Sequence, residues 1–578
     1  MTASLAIKSR LVPSRHNLPD SLDPVLQRIL SARGVLTSDD LDITLSRLES
    51  FDSLRHIQIG AGLIRDCIVS GGKIMIIGDY DADGATSIAV AIRALRAMGA
   101  EDVDYLVPNR FNFGYGLTPE IVEVAQSYEP DLIVTVDNGI SSIEGVKRAR
   151  AKGIKVLVTD HHLPGKSLPN ANAIINPNQV DDAFPSKNLA GVGVIFYVMA
   201  ALRRLLRKEG WFESKLIDEP RLANLLDLVA LGTVADVVPL DLNNRRLVHY
   251  GLSQIKREKC QIGLLALLEA AGKTAQYVTS NDLAFVLGPR LNAAGRLSDM
   301  SLGIECLLSD DPEKCLEMAT ELTRLNEERR DIESEMKEHA FGLISEVIGE
   351  SGSNDRPSAF SVFHKDWHQG VVGIVAARIK DRFHRPSIAF ALVDDGLLKG
   401  SARSIAGVNI RDALESIATR HPQLIESFGG HAAAAGLTVK LDNFVEFREY
   451  FSETIKGLLN EENLQQIIST DGVLEAKDFT LALASQIENI SPWGQKFPEP
   501  KFYGEFLIKE RYVVGELHAR LLLETDENVT NLSAIAFGAA EEDWFLNASR
   551  IKAVYHLVVN RYRGQETLQL KLDFAERV

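Results

Sequence analysis

A short apolar run, Ile74-Met75-Ile76-Ile77, leads straight into three carboxylates at alternate positions, Asp79, Asp81 and Asp83. In an extended backbone, residues two apart point the same way, so three like charges would stand on one side. A helix cap accounts for one such residue, with Asp83 the natural choice, but not for three in register. A bound divalent cation makes the arrangement favourable, because hard cations take oxygen ligands. The run also opens a β/α alternation. Strand-like stretches at 73–79, 102–108, 131–137 and 155–160 are separated by helix-like stretches near 84–98, 119–128 and 141–152. Such alternation predicts a parallel sheet with helices on both faces, whose ligands sit outside the carboxyl ends of the strands.

The polar residues fall at those ends. The third stretch finishes in Asp137-Asn138-Gly139 and the fourth in Asp160-His161-His162, and an apolar helix after Leu225 runs into Asp236. Taking Asp236 as a simple helix-end turn is the alternative for that residue. The candidate metal ligands are therefore Asp79, Asp81, Asp83, Asp137, His161 and Asp236. Five carboxylates and an imidazole exceed what one open-sided ion needs. They suit two Mg²⁺ or Mn²⁺ ions about 3.5–4 Å apart that arm a water against phosphorus. Asp137 is the expected bridge, His162 a stabiliser of charge on the phosphate, and Asp160 an outer partner that orients a neighbouring imidazole.

At 578 residues the chain is too long for one core and predicts three or four domains. Hydrophobic residues at 45% and charged ones at 25% describe an ordinary globular protein. No apolar run reaches membrane-spanning length, and Met1 to Pro13 lacks a signal-peptide core. Four scattered cysteines without a CxxC pair predict a reducing, cytoplasmic setting and argue against thiolate zinc. The net charge of −16 weighs against a nucleic-acid binder, although a local basic groove is compatible with it.

Further along, Leu287-Gly-Pro-Arg290-Leu-Asn292-Ala-Ala-Gly295-Arg296 combines small residues with polyanion-binding side chains; a turn carrying solvated arginines is the plainer alternative. Residues 311–348 carry one long helical pattern, stopped by a Gly- and Ser-rich stretch. Three polar clusters follow: His364 with Trp367 and His368, Ser401 with Arg403, and Gly429-Gly430-His431 before a run of alanines. The last is expected to open a helix and offer its N-terminus to phosphate; ordinary hydrogen-bonded histidines are the alternative for the three imidazoles. After about 465, short strand-like runs with one helix near 480–490 predict a small β-barrel, an OB-fold by expectation. The expected organisation is an N-terminal segment (1–50), a catalytic α/β domain (51–310), a connecting helix (311–350), a smaller α/β domain (351–462) and the barrel (463–578).

Taken in order, Asp79-Tyr-Asp-Ala-Asp-Gly, Asp137-Asn-Gly, Asp160-His-His and Asp236 resemble the motifs of the DHH phosphoesterase superfamily, and Gly429-Gly-His-Ala-Ala-Ala-Ala-Gly resembles its DHH-associated domain. Within that superfamily, residues 50–575 are similar to the single-strand-specific exonucleases. The resemblance implies a 5′→3′ exonuclease on single-stranded DNA that releases 5′-mononucleotides, with roles in DNA repair and recombination. It implies that Ser401, Arg403 and Arg110 hold the terminal phosphate. Tyr115, Arg290, Asn292, Arg296, His364, Trp367, His368, Gly429, Gly430 and His431 match further family marks expected to bind DNA or phosphate. A helicase and a single-strand-binding protein are the implied partners, and a monomer is expected. The rival readings are a small-molecule or oligonucleotide phosphodiesterase of the same superfamily and a non-catalytic replication scaffold.

Overall fold

The computed structural model describes residues 5–108, 113–351, 357–393, 396–525 and 531–578. The chain divides into two compact units. One comprises Arg324–Ser469 with the N-terminal residues to Lys8; the other comprises Ser9–Thr323 and Thr470–Val578. The helix Pro312–Ser351 runs unbroken through the division. It extends past Gly349, beyond the stop expected there.

The larger unit contains the expected parallel sheet. Its strands lie in the order Val103–Leu106, Ile74–Ile77, Leu132–Val136, Lys155–Thr159, Ala173–Ile175, every pair parallel. Sequence reading placed four strands; the fifth, Ala173–Ile175, is too short to show a pattern. The strands Ile74–Ile77 and Leu132–Val136 are buried at every position, as a sheet covered on both faces requires. On one side, Met75, Ile77, Ile133, Val156 and Val158 pack against Ile121, Val122 and Val146 of the crossover helices. The order reverses beside Ile74–Ile77, which has the second strand on one flank and the third on the other. At such a switch point the connections leave in opposite directions and open a crevice at the carboxyl ends.

In the same unit, Phe502–Val514, His518–Glu524, Leu532–Ala536, Gln565–Arg577 and Arg550–Tyr562 close into a five-stranded barrel. The first strand is longer than the short runs expected, and a bulge between Ile508 and Glu510 interrupts its alternation. The helix Leu481–Ile490 lies where sequence placed it.

The smaller unit holds a mixed sheet ordered Ser427–Gly430, Ala434–Lys440, Leu397–Arg403, Ser387–Val393, Phe360–His364. Its core includes Phe390, Phe447, Phe451 and Leu414, contributed by the sheet and by the helices Ile410–Arg420 and Phe444–Leu458. One expectation fails here. The alanines after Gly429-Gly430-His431 do not open a helix; they enter the strand Ala434–Lys440, which pairs back onto Ser427–Gly430 as a hairpin. Alanine is a good helix former, but the propensity involved is a few tenths of a kcal/mol per residue and sheet pairing overrides it. Gly430 sits at φ 140°, and a Cβ there would lie 2.5 Å from the Ala434 carbonyl oxygen. The glycine is needed for the hairpin.

Candidate metal centre

Three adjacent strands of the parallel sheet end in the acids and imidazoles. Ile74–Ile77 leads to Asp79, Leu132–Val136 to Asp137, and Lys155–Thr159 to Asp160-His161-His162. The helix Leu226–Ala235 ends at Asp236. Ligand atoms of Asp79, Asp81 and Asp137 lie within 4.8 Å of one another, as do those of Asp83, His161 and Asp236, and those of Asp137, His161 and His162. The overlap of these sets places Asp137 and His161 centrally. His161 Nε2 lies 3.1 Å from Asp137 Oδ1, 3.5 Å from Asp236 Oδ2 and 4.0 Å from Asp83 Oδ2. All six residues expected to gather do so.

Local backbone chemistry holds each one. Asp81, not Asp83, caps the helix Ala82–Ala97: its Oδ1 accepts from the amides of Asp83 (2.9 Å) and Gly84 (3.1 Å). Asp83 reaches instead to the N-terminus of the helix Gly191–Lys208, accepting from Gly191 N at 2.6 Å and Val192 N at 2.9 Å. Two glycines permit these approaches. A Cβ on Gly84 would lie 2.3 Å from the Asp79 carbonyl oxygen, and one on Gly191 would lie 2.5 Å from the Asp137 Cβ. Asp137 itself adopts φ 61°, the left-handed conformation that Asp tolerates better than most residues. Asn138 ties the neighbouring strands together by donating to the carbonyls of Ile77 (3.0 Å) and Val136 (2.9 Å).

Asp160 is a positioning residue. Fully sheltered, it accepts from Ile140 N at 2.9 Å, His161 N at 2.7 Å and His162 N at 3.1 Å, and its Oδ1 lies 2.7 Å from His162 Nδ1. Burial, the largest single influence, would raise its pKa, but the bond to His162, the two imidazoles and the Ile140 amide together outweigh it and hold the carboxyl below its usual range. Burial likewise pulls His162 down, and Asp160 with the surrounding acids more than reverses that. His161 goes the other way: burial, then the neighbouring His162, lower it to about 4, so the ring is neutral. Its bond to the Leu189 backbone occupies one nitrogen and leaves Nε2 facing the acids. Burial and mutual repulsion push Asp83 up to about 7 and raise Asp137 and Asp236 well above the carboxylate range.

These features test whether a cation fits. Asp137 Oδ1 and His161 Nε2 are buried and have no hydrogen-bond partner among the described residues. Buried polar atoms without partners cost about 1–3 kcal/mol each. A divalent cation would satisfy both and relieve the repulsion, and the oxygen-rich set with one neutral imidazole suits Mg²⁺ or Mn²⁺. The residues present fit the group.

The other expected site residues fall in three places. Tyr115 is at the centre: its hydroxyl donates to the Asp137 carbonyl at 3.1 Å, and its ring meets His162 edge-on at 5.8 Å. Arg290, Asn292 and Arg296 lie on a helix, Gly288–Leu297, preceded by the π-helical turn Leu283–Leu287, not in a turn. Asn292 Oδ1 accepts from Ala82 N at 2.8 Å. Arg290 donates to Thr323 Oγ1 at 3.1 Å and to the Val286 carbonyl at 2.7 Å. The role of Asn292 was not legible in sequence, because its partner is 210 residues away.

The remaining residues belong to the smaller unit. Arg403 donates to Ser401 Oγ at 2.9 Å; burial lowers its pKa, and it forms no ion pair among the described residues. Ser401 stands opposite Gly436 in the sheet, which stands opposite Gly429, while Gly430 stands opposite Ala435, so two of the polar clusters lie in one sheet with the strand Ala434–Lys440 between them. His431 N donates to the Ala434 carbonyl at 2.8 Å within the hairpin. His364 ends a strand and meets His339 ring to ring at 4.2 Å; Trp367 is buried beside them; His368 Nδ1 accepts from Gly370 N at 3.1 Å. Arg110 lies outside the described residues.

A parallel sheet that gathers acids and a histidine at its switch point defines a metal-dependent phosphoesterase of the DHH type. The descriptions "DHH family, N-terminal domain", "DHHA1 domain" and "RecJ OB domain" match residues 73–233, 356–457 and 470–573. The single-stranded-DNA-specific exonuclease RecJ of Dickeya dadantii is 49% identical over 557 residues, 96% of each chain. That of Escherichia coli is 46% identical over 574 residues, 99% of each chain. The crystal structure of RecJ from Thermus thermophilus in complex with Mn²⁺ superposes with a TM-score of 0.79 at 26% identity, covering 99% of this chain and 80% of that one. The chain belongs to the RecJ family of single-stranded-DNA-specific exonucleases.

Proposed function

We propose that this protein is a metal-dependent exonuclease that degrades single-stranded DNA from the 5′ end and releases 5′-mononucleotides. The observation that carries the reading is the convergence of Asp79, Asp81, Asp83, Asp137, His161 and Asp236 at one sheet edge. Asp79, Asp81 and Asp137 would hold one Mg²⁺ or Mn²⁺, and Asp83, His161 and Asp236 a second, with Asp137 shared. When bound, the cations supply the positive charge that lets water displace the 3′-oxygen at phosphorus. His162, whose protonated form Asp160 favours, presents a donor to a phosphate oxygen as negative charge builds there. Tyr115 holds the Asp137 backbone in its left-handed turn. Arg403, a half-buried cation without a carboxylate partner among the described residues and with Ser401 at hand, fits the terminal 5′-phosphate. Arg110 is proposed for the same phosphate, and Arg290, Arg296, His364, Trp367, His368 and His431 for the strand.

The barrel would grip the strand by stacking and charge. A helicase that opens duplex and a single-strand-binding protein are the partners such an enzyme needs. A monomer in the cytoplasm is the proposed state, consistent with four free cysteines. Asp81→Asn keeps an acceptor for the helix cap while removing a charge. Hydrolysis of a labelled single strand in Mn²⁺ should fall by more than about 100-fold, beyond what loss of an outer partner costs, with melting temperature and DNA affinity retained. Undiminished hydrolysis by that variant would refute the reading. Equal turnover of a dinucleotide and a long single strand would favour the small-molecule alternative.

A further inference from the structure

A cavity of about 350 Å³ lies within the larger unit, where the helix Leu242–Lys256 faces the helix Leu481–Ile490 and the strand Arg550–Tyr562. None of its lining residues belongs to the acid centre. Its size is at the lower end of small-molecule sites, which run from about 300 to 1,000 Å³. The end of one helix supplies the charge: Lys256 and Arg257 both line the cavity, and His249, two helical turns back, lines it as an imidazole whose protonation burial and Lys256 oppose. Neither Lys256 nor Arg257 forms an ion pair among the described residues, and the one polar contact of Lys256 is Asn489 Oδ1 at 3.5 Å.

Two acids, Glu488 and Glu499, also line the cavity, but both are already engaged. Glu488 takes a two-pronged contact from Arg561, at 2.8 and 2.7 Å, and Glu499 accepts from Asn281 at 2.9 Å. Opposite, the buried Ser491 lines the cavity with its Oγ lacking a hydrogen-bond partner among the described residues. Leu252, Ile487 and Leu557 form apolar wall. Two cations without ion pairs, lining acids held by other partners, apolar walls and an unsatisfied buried hydroxyl match a small amphiphilic anion.

We propose that this cavity binds a nucleoside 5′-monophosphate, with the phosphate on Lys256 and Arg257 and the nucleoside against Leu252, Ile487 and Ser491. The choice of nucleotide rests on the exonuclease reading, since that reaction releases this class of product; the anion site itself does not. Titration calorimetry of the full chain with dTMP and with inorganic phosphate, both in EDTA, separates the two. Omitting metal keeps the catalytic centre from contributing its cation-dependent affinity.

The expected result is dTMP binding that weakens at least tenfold in Lys256→Gln/Arg257→Gln, persists in Asp81→Asn, and exceeds binding of inorganic phosphate. Binding lost in Asp81→Asn but kept in the double variant would place the nucleotide at the acid centre and overturn the proposal. Absence of binding, or equal affinity for inorganic phosphate, would overturn it as well. Failure of the exonuclease reading is seen separately, as absence of metal-dependent hydrolysis of single strands by the wild type.

Discussion

At the scale of single residues, the acid loop is held in place from outside its own motif. Asn292 takes the Ala82 amide, and Gly295 lets its helix approach so closely that a Cβ would lie 2.0 Å from the Tyr80 carbonyl oxygen. Asn292 and Gly295 therefore clamp the segment that carries Asp79 and Asp81. The expectation of polyanion contact explains the arginines but not these two. Asn292→Ala leaves the Ala82 amide without its acceptor, at about 1–3 kcal/mol. Denaturant unfolding should show that loss. The turnover rate should fall more than KM rises, and Asn292→Asp, which keeps the acceptor, should recover part of it. Gly295→Ala should lower turnover further, because the neighbour it strikes is backbone and cannot turn aside.

Among the elements, helix junctions carry a charge whose state depends on pH. Asp227, in the first turn of Leu226–Ala235, is fully buried; it accepts from Gln261 N at 2.6 Å and so ties its helix to the start of Ile262–Ala270. Burial raises its pKa to about 6, against the opposing pull of those amide bonds. A folded-state pKa above the unfolded value means the folded protein holds the proton more tightly. The stability this gives is present below about pH 4 and is lost as pH rises to about 6, by roughly 2–3 kcal/mol at 1.36 kcal/mol per pH unit. Asp227→Asn has no proton to lose. The wild type should therefore lose stability relative to this variant between pH 4 and pH 7, as measured by urea unfolding at each pH. A constant difference across that range would contradict the assignment.

On the scale of the whole molecule, the barrel and the parallel sheet belong to one compact unit although they lie far apart in sequence. A buried two-pronged ion pair between Arg33 and Asp471, at 2.6 and 2.9 Å with both side chains 1% exposed, ties the N-terminal segment to the stretch ahead of the barrel. Ser280 donates to the Trp493 carbonyl at 2.6 Å, Leu240 N to the Gln495 carbonyl at 2.8 Å, and Arg245 stacks on Phe497. The barrel is therefore not a detachable module. Asp471→Ala should destabilise the protein by about 3–5 kcal/mol, because Arg33 stays buried without its partner. Deleting residues from 470 onward should lower the melting temperature and solubility of the catalytic unit, measurable by scanning calorimetry, and not merely its affinity for DNA.

The sequence by itself determined the parallel sheet, the barrel, the long helix and the acids of the centre. Each is written locally: alternating β and α periods, turn residues, and motifs that sit where a strand must end. Only the tertiary structure decided which acid caps which helix, that Asn292 reaches the acid loop, and that the alanines after Gly430 enter a strand. It alone joined the barrel to the catalytic sheet. These are pairings between residues far apart in the chain, fixed by packing and by the need to satisfy buried polar groups, and no local pattern records them.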